Sequence, residues 1–400
     1  MRQSWITLAI AAALALPAAF VRLASPGLPV GVETAIFGVA VLSVAFLLTW
    51  TAEAAETEIS SGIAVALLAL IAVLPEYAID LYFAWTAPGN PENAGYATAN
   101  MTGANRLLIG FGWALVVFLF WFRTRRPRFR LSGRRFQELV FLALATAWSF
   151  TIPIRGELSL LDTAVLVSLF LGYLYMARGS HGEEDVEMVE PAKSIAGLPR
   201  PQRRALLIAL FLYAAGMILI SAEPFAEGLV ESGKAAGIDE FLLVQWLAPL
   251  ASETPEITIA SILVLRGRTG VAMAVLISSK VNQWTLLVGT LPAAYAVSGG
   301  FLDPLPLDSR QVEEIFLTSA QSIFAIMLLA NLRMSLWEGA LLFALFITQL
   351  FFTDPTIRYL YAYTYLALAV VVAFLQRVEI GEVLRTRGQV EGVMEHPPVR

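Results

Sequence analysis

The sequence predicts an all-α polytopic membrane protein with about twelve transmembrane helices in two inverted-topology repeats. Of its 400 residues, 58% are hydrophobic and only 15% are charged. A typical soluble domain is about 25% charged, so this composition excludes a soluble domain, a disordered chain and a coiled coil. Apolar runs of about 17–25 residues recur along the chain, each long enough to cross a hydrocarbon core of ~30 Å as a helix. A Pro-Glu pair at corresponding places in the two halves predicts the repeat.

The apolar runs define the predicted spans, and the loops between them are short apart from the polar stretch 178–204. The first span follows Arg2 and resembles a signal peptide in part. We expect it to be retained as a transmembrane helix, because its apolar run is long and a second span follows at once. The twelve predicted spans are 5–24, 30–50, 60–86, 98–122, 136–152, 159–177, 205–222, 238–265, 270–298, 311–330, 335–353 and 357–377.

Basic residues in the loops predict the orientation, since cytoplasmic loops carry an excess of Lys and Arg. With twelve spans, all the basic loops fall on one side, which places both termini in the cytoplasm and the protein in a plasma or inner membrane. The same rule accounts for these loops without a nucleic-acid partner. The residues are Arg123, Arg125, Arg126, Arg128, Arg130, Arg134 and Arg135 after the fourth span, Arg178, Lys193, Arg200, Arg203 and Arg204 after the sixth, Arg266 and Arg268 after the eighth, Arg333 after the tenth, and Arg377, Arg385 and Arg387 after the last.

The chemistry available inside the membrane is limited. The chain has no cysteine, and its two histidines, His181 and His396, lie in polar stretches. This excludes thiolate nucleophiles and Cys-ligated metals and argues against histidine-metal sites. Phosphate-binding loops and nucleophile motifs are also absent, so we expect neither an ATP-driven pump nor an enzyme, and no cofactor.

Each half of the chain contains a proline followed by a glutamate inside a predicted span, at Pro75 and at Pro255. In each half, the next span opens with small and amide residues, at 99–105 and at 275–283. Counted from a cytoplasmic N-terminus, the third span runs from the inside to the outside and the eighth from the outside to the inside, so the two copies are inverted. Inverted repeats are the layout of many secondary transporters, with substrate sites near the bilayer midplane.

Proline lacks an N–H group, so Pro75 and Pro255 free the carbonyls at Ile71 and Ala251. Freed carbonyls beside a carboxylate make an oxygen-rich place that suits a hard cation. An isolated proline could equally serve only to kink its helix. Its recurrence before a glutamate in both halves favours a function.

These motifs resemble those of the calcium/cation antiporter superfamily, the sodium/calcium exchangers and their relatives. Each of the two repeats in that family pairs a Pro-Glu helix with a helix bearing Gly-Asn-x-x-Gly-Ser-Asn. Asn100, Gly103 and Asn105 follow the second pattern in the first half, with Ala104 in place of serine. In the second half, Lys280 stands at the position of the last Asn.

The resemblance implies a ten-helix core with an extra helix at each end. It also implies a secondary antiporter that exchanges Ca²⁺ or Na⁺ for H⁺ or Na⁺ through one midplane site in the lipid bilayer, and it leaves open whether the protein forms a homo-oligomer. The implied regions are an extra N-terminal helix (1–29), the first repeat (30–177), a cytoplasmic polar linker (178–204), the second repeat (205–353), and an extra C-terminal helix with a cytoplasmic tail (354–400).

Carried over position by position, the resemblance makes Glu76 and Glu256 the central cation ligands. The first half has Ala72 and Val73 where the family has hydroxyl residues, so the ligand set is asymmetric. The implied secondary ligands are Ser252, Glu253, Asn105, Ser279 and Gln283. Three alternatives stay open: a monovalent cation/proton antiporter that uses Lys280 as a tethered cation, an intramembrane carboxylate enzyme, and a transport-inactive scaffold.

Charged side chains within the spans need compensation, because each costs ~2.5–3.5 kcal/mol at a helix centre. We expect them to pair, to bind ions or to hold protons. Lys280 could be a built-in cation or form a fixed salt bridge to Glu253 or Glu256, and Arg106 could pair with Asp80 or extend to the membrane surface. The charged residues at membrane depth are Glu76, Asp80, Arg106, Glu253, Glu256 and Lys280, and the expected coupling or charge partners are Asp80, Lys280, Arg106 and Asn100.

Two further acidic groups carry weaker expectations. Glu223, Glu227 and Glu231 form either a solvated helix end or an outer vestibule that attracts cations. Glu313 and Glu314 are expected to stabilise the N-terminus of the tenth span through the helix dipole. The acidic stretch within 178–204 is expected to be solvated.

Overall fold

The computed structural model describes residues 2–55, 57–58, 74–133, 135–177 and 188–385. The described residues form almost entirely helices, with four strands of two or three residues. In chain order the elements are α1 (Arg2–Ala24), α2 (Val30–Ala55), α3 (Leu74–Thr86), α4 (Glu92–Leu107), a first π-helical turn π1 (Leu108–Trp113), α5 (Ala114–Thr124), β1 (Arg128–Arg130), α6 (Arg135–Ser149), α7 (Thr151–Arg155), β2 (Glu157–Leu158), α8 (Leu160–Ala177), α9 (Ala192–Ala196), α10 (Arg200–Ala236), α11 (Glu240–Leu265), α12 (Thr269–Asn282), a second π-helical turn π2 (Gln283–Leu287), α13 (Val288–Gly299), β3 (Leu305–Pro306), α14 (Ser309–Leu329), β4 (Arg333–Ser335), α15 (Leu336–Gln349), α16 (Pro355–Leu375) and α17 (Arg377–Arg385).

The helices agree with the predicted all-α membrane fold. Among the described residues, eight helical stretches are long and apolar enough to cross a membrane, and α8 and α15 are shorter apolar helices. Helices α3 and α11 lie on the third and eighth predicted spans, which carry the Pro-Glu pairs. The count of twelve spans remains a prediction, and the carbonyl of Ile71 lies outside the described residues. The eight stretches are Gln3–Ala24, Val30–Ala55, Glu92–Thr124, Arg135–Arg155, Arg200–Ala236, Thr269–Gly299, Ser309–Leu329 and Pro355–Leu375.

The chain divides into two compact units, and each is built from separate stretches of sequence. Unit 1 consists of residues 1–104, 177–256 and 290–305, and unit 2 consists of 105–176, 257–289 and 306–400. The chain passes from unit 1 to unit 2 within α4, after Ala104, and again within α11, after Glu256.

In unit 1, α1, α2, α3 and α10 pack on one another. Small residues make this packing close: Ala15 and Ala40 are fully buried, which suits helix association in lipid. Gly228 of α10 lies against α2, where an added Cβ would come within 2.4 Å of the Thr34 hydroxyl. Helix α1 is therefore a packed part of the unit.

The described part of the polar linker, residues 188–199, packs in part against α1 and α2, while Glu190, the one described acid of its acidic stretch, is exposed. Val189 and Ile195 are buried, and the Val189 N–H group donates to Glu53 Oε1 of α2 at 2.6 Å. The Ser4 hydroxyl of α1 donates to Glu190 at 2.8 Å. The acidic residues of the linker before 188 lie outside the described residues.

In unit 2, α14 packs against α6 and α16, and α12 packs against α6 and π1. Strands β1 and β4 join two of the basic loops in an antiparallel pair, with Arg128 opposite Ser335. The N-termini of α14 and α15 are closed by capping boxes at Asp308 and Ser335. These caps satisfy orphan N–H groups where each helix begins.

Both motif helices continue into a π-helical turn. Turn π1 begins three residues after Asn105, and π2 begins three residues after Lys280. These are the two positions that the repeated motif aligns with each other. Single π-helical turns are uncommon and often mark functional sites, and no feature of the sequence predicted them.

Candidate cation-binding site

All eleven residues that the sequence singled out as ligands or charge partners are buried. Such burial is expected of polar groups that bind an ion or one another within a membrane. Their role as ligands remains a prediction. In unit 1 they are Glu76, Asp80, Asn100, Ser252, Glu253 and Glu256, and in unit 2 they are Asn105, Arg106, Ser279, Lys280 and Gln283.

The Pro-Glu motif of α11 brings two carboxyl groups together. Glu253 and Glu256, three residues apart on one face of the helix, lie within hydrogen-bonding reach of each other. Their side chains are 1% and 9% exposed. Two carboxylates this close rarely ionise together in a low dielectric, so a shared proton or a bound cation must neutralise the pair. The pair can therefore exchange one for the other.

Ser252 is oriented with its oxygen available. Its hydroxyl donates to the carbonyls of Ala248 and Pro249, at 3.3 and 3.4 Å. A hydroxyl that donates its hydrogen to a backbone carbonyl still has two lone pairs that can accept from, or coordinate, another partner. Ser252 can thus contribute an oxygen ligand to a hard cation beside Glu253 and Glu256.

Helices α4 and α11 approach very closely within unit 1. A Cβ atom on Gly103 would fall 1.8 Å from the carbonyl oxygen of Gln245, so only glycine fits there. Pro249, inside α11, has no N–H group to donate to that carbonyl, which lies one turn earlier. The motif glycine therefore serves helix packing, and the buried Gln245 amide lies 3.5 Å from the Thr102 hydroxyl.

The expected partners of Asp80 and Arg106 need correction. Asp80 accepts a hydrogen bond from the Asn100 amide at 2.8 Å, so Asn100 takes the partner role that was considered for Arg106. The Arg106 guanidinium is fully buried and lies 2.5 Å from Glu314 of α14. Complete burial also excludes extension of this side chain to the membrane surface.

Glu313 and Glu314 have a different role from the one expected. The first turn of α14 is capped by Asp308, whereas the two glutamates lie deeper in the helix and are buried. Both form ion pairs with Arg358 of α16. Together with Arg106 they form a four-residue network with two positive and two negative side chains, which replaces the predicted dipole interaction.

Lys280 contacts the other motif helix. Its ammonium group donates to Asn105 Oδ1 at 2.6 Å and lies 4.2 Å from the centre of the Trp284 ring. It is fully buried. Gln283 donates to the Ser279 hydroxyl at 3.4 Å. The amide oxygen that the family resemblance assigns to a cation is therefore bound by a protein ammonium group.

The sequence reasoning missed Arg358, Gln245 and the two π-helical turns. Arg358 is the second residue of the predicted span 357–377, and the sequence analysis assigned it no role. A position so near the start of a span usually lies at the membrane surface. No nearby residue indicated that Glu314 and Glu313, 44 and 45 residues earlier, would bind it.

The acids of α10 line the wall of a cavity in unit 1, with a volume of about 350 Å³. Glu223 pairs with Arg22 at 2.6 Å, and Glu227 accepts a hydrogen bond from Tyr82. Glu231 and Glu33 also line the cavity. Among the described residues, no three His, Asp or Glu side chains converge in a ready-made metal site, and a Ca²⁺ site would also draw on carbonyl, amide and hydroxyl oxygens.

Comparisons with known proteins identify the family. The family model described as "Sodium/calcium exchanger protein" matches residues 29–178 and 206–353. The crystal structure of the H⁺/Ca²⁺ exchanger CAX is 44% identical, with a TM-score of 0.90, and the match covers 96% of this chain and 98% of that chain. No protein of curated function matches the chain.

Two more distant structures share the fold. Native YfkE is 15% identical with a TM-score of 0.61, covering 87% of this chain and 98% of that one. The sodium-calcium exchanger NCX_Mj is 18% identical with a TM-score of 0.53, covering 81% and 99%. With a family model that spans most of its length, the chain belongs to the sodium/calcium exchanger protein family and is a multi-pass membrane cation antiporter, not an enzyme.

Proposed function

We propose that this protein exchanges Ca²⁺ for H⁺ across a plasma or inner membrane, with Glu76 and Glu256 as the primary cation ligands. One observation carries the proposal. The described residues of unit 1 include four buried acids, Glu76, Asp80, Glu253 and Glu256, and no buried Lys or Arg. Protons or bound cations can neutralise such acids.

The energetic argument for exchange follows from this imbalance. Four ionised acids at membrane depth would cost roughly 10–14 kcal/mol on insertion scales, comparable to the whole stability of a typical protein. Protons remove the cost at low pH, and a divalent cation removes two charges at once. Carboxylate and hydroxyl oxygens are hard ligands that suit Ca²⁺ better than a thiolate-seeking metal.

The counter-ion is proposed from the similarity to CAX. That protein is described as an H⁺/Ca²⁺ exchanger and matches this chain over nearly its full length. We extend its proton coupling to this chain. From the motifs and the loop charges of this sequence we also propose the secondary ligands Ser252, Glu253, Asn105, Ser279 and Gln283, the two repeats at 30–177 and 205–353, and cytoplasmic termini.

A second candidate is a monovalent cation/proton antiporter, and the observation that favours it is the Lys280–Asn105 hydrogen bond. A permanent ammonium group in the binding region reduces the negative charge available to a divalent cation. Under this alternative, Na⁺ or K⁺ gradients would drive proton movement and Ca²⁺ would not.

Reconstituted vesicles distinguish these functions. The purified protein is placed in vesicles that contain a pH dye and a calcium dye, and gradients of calcium, sodium, potassium and protons are imposed in turn. We expect calcium movement to be driven by a proton gradient and to be unaffected by sodium. Proton movement with sodium or potassium but without calcium would replace the proposal by the second candidate.

Glu256→Gln tests the assigned ligand. The amide keeps the shape of the side chain and loses the charge, so we expect exchange to be abolished while expression and folding persist. Glu379→Gln on α17, outside the predicted spans, is the matched control and should transport normally. If Glu256→Gln keeps more than about half of the wild-type rate, Glu256 is structural, because transition-state and binding losses of a true ligand are far larger.

A further inference from the structure

Asp80 and Asn100 join α3 to α4 deep within unit 1. Both side chains are completely buried. The Asn100 amide donates to Asp80 Oδ1 at 2.8 Å. The other two oxygens, Asp80 Oδ2 and Asn100 Oδ1, are buried and accept no hydrogen bond from any residue that the structure describes.

A single proton on Asp80 accounts for both of these oxygens. A carboxylic acid presents a donor and an acceptor side by side, and a primary amide presents the complementary pair. With a proton on Oδ2, the acid can donate to Asn100 Oδ1 while its other oxygen keeps the existing bond. An ionised carboxylate would leave two buried acceptors without a donor, an arrangement that folded proteins avoid.

Among the described residues, no Lys or Arg forms an ion pair with Asp80, and Arg106, the base on α4, pairs with Glu314 of α14 instead. Its own helix carries Glu76 and Tyr77. The Tyr77 hydroxyl lies close enough to interact electrostatically with the carboxyl groups of Glu76 and Asp80. The helices packed around α3 present acids: Glu33 and Glu53 on α2, Glu92 on α4, and Glu223, Glu227 and Glu231 on α10.

The bases of α10 are engaged elsewhere or lie at its end. Arg203 and Arg204 bind Glu58, Lys234 lies 3.9 Å from Glu92, and Arg200 is exposed at the first residue of the helix. The sequence 59–73 before α3 contains no Lys or Arg. A buried carboxyl group without a cationic partner takes up a proton in preference to remaining charged.

We propose that Asp80 is a proton-binding site separate from the metal ligands, and that it keeps its proton throughout transport as one half of a cyclic acid–amide pair with Asn100. The role of this proton rests on the proposed function. Glu76 lies one turn before Asp80 on the same face of α3, where two like charges would repel. With Asp80 neutral, Glu76 is the one acid of that face that changes charge when a proton is exchanged for a cation.

Asp80→Asn is the decisive variant, because an amide reproduces the donor and acceptor of the protonated acid. We expect it to fold, to melt close to wild type, and to keep both the rate and the pH profile of exchange. Asp80→Leu and Asn100→Leu each strand the polar atoms of the remaining partner, so both should melt several degrees lower. This pattern separates a protonated acid from an ionised one, for which Asn would be a poor substitute.

Infrared difference spectroscopy reads the proton directly and does not depend on transport. Wild type minus Asp80→Asn should show the carbonyl stretching band of a protonated carboxylic acid, unchanged when calcium is added or when pH is varied over the range of exchange. A missing band would overturn the proposal. So would failure of Asp80→Asn to fold, or a shift of its pH profile in a folded protein.

The calcium dependence of melting tests whether Asp80 is instead a metal ligand. Asp80→Asn should keep the calcium-induced rise in melting temperature that wild type shows, and its loss would overturn the proposal in favour of direct coordination. If wild type exchanges no calcium at all, the proposed function fails, while the infrared band and the variant melting temperatures still decide the state of Asp80.

Discussion

Unit 1 and unit 2 both bury charged side chains, but they neutralise them by different means. In unit 2, the described residues pair Arg106 with Glu314 and Arg358 with both Glu313 and Glu314. In unit 1, the buried described acids stand in a unit with no buried Lys or Arg, and two of them, Glu253 and Glu256, adjoin each other.

The two units thus differ in what neutralises their buried carboxylates: permanent arginine charges in unit 2, and exchangeable protons or metal ions in unit 1. A guanidinium group does not lose its proton in proteins, so Arg106 and Arg358 of unit 2 keep their positive charges at any physiological pH. Protons and metal ions, by contrast, come and go with the solution on either side of the membrane. We infer that the network of unit 2 is structural and that Glu76, Glu253 and Glu256 of unit 1 carry the transport chemistry.

The largest effect is expected from Arg358→Leu, which breaks the fixed compensation. It leaves Glu313 buried without its guanidinium partner, and removal of one member of a buried pair costs ~3–5 kcal/mol. Equilibrium unfolding in detergent measures the loss. Adding Glu313→Gln to the variant should restore part of the stability, because it removes the stranded charge.

Arg377→Leu is the matched control for Arg358→Leu. Arg377 is exposed at the start of α17, where its guanidinium lies 4.3 Å from the Phe374 ring, so its loss should change stability by only about 0.5 kcal/mol. Equal losses in the two variants would show that the Arg358 network contributes nothing beyond a surface contact. The conclusion that the network of unit 2 stabilises the fold would then be wrong.

A smaller effect is expected from Lys280→Asn, which restores the family residue. The variant loses the hydrogen bond to Asn105, and a bond that involves a charged group contributes ~1.5–3 kcal/mol. Without cations it should therefore melt lower than wild type. It should also bind calcium more tightly, because the Asn105 oxygen is released and an internal positive charge is removed. A calcium titration of melting temperature measures both effects.

Lys280→Arg is the control that keeps the positive charge, and we expect no gain in calcium affinity from it. If Lys280→Asn melts lower and neither calcium nor sodium raises its melting temperature beyond the wild-type response, Lys280 is only a structural bridge. That result would assign it to the fixed charges of unit 2 and end its interpretation as a tethered cation.

The sequence predicted those features that depend on local pattern. Apolar run length predicted the membrane helices, and the paired motifs of Pro75 and Pro255 were sufficient to indicate the exchanger family. Burial of the motif residues followed from the same logic, since polar groups inside a span are rarely exposed to lipid.

The sequence did not predict which buried charged residues pair with each other, because that depends on contacts between segments far apart in the chain. Arg106 was considered for Asp80, 26 positions away, but it binds Glu314, and Asp80 binds Asn100. Hydropathy and spacing do not reveal which of two nearby acids a base will reach. Arg358 also lies beyond the matched family region, which ends at 353, so the family pattern gave no indication that α16 completes a buried network.

The smallest effect is expected at the surface of unit 1, which does use fixed compensation outside the predicted spans. The guanidinium groups of Arg204 and Arg203 hydrogen-bond to Glu58 and hold the pKa of its carboxyl below the usual value of 4.5. A lowered pKa in the folded state stabilises the protein above the unfolded pKa, and this contribution is lost as pH falls through the folded pKa. Glu58→Gln should therefore melt slightly lower than wild type at neutral pH.

The same comparison at lower pH tests the cause of that difference. As Glu58 becomes protonated, wild type loses the interaction that the variant already lacks. The difference in melting temperature should therefore begin to shrink as pH falls below the usual pKa of 4.5 and should vanish below the lowered pKa of the folded state. Salt should also reduce the difference at neutral pH, because exposed ion pairs are screened. Asp303→Asn, in an exposed loop of unit 1, is the control and should show no such convergence.

If the Glu58→Gln difference persists unchanged at low pH, it reflects packing and not charge. The Glu58 contacts would then contribute no ionic stabilisation to unit 1.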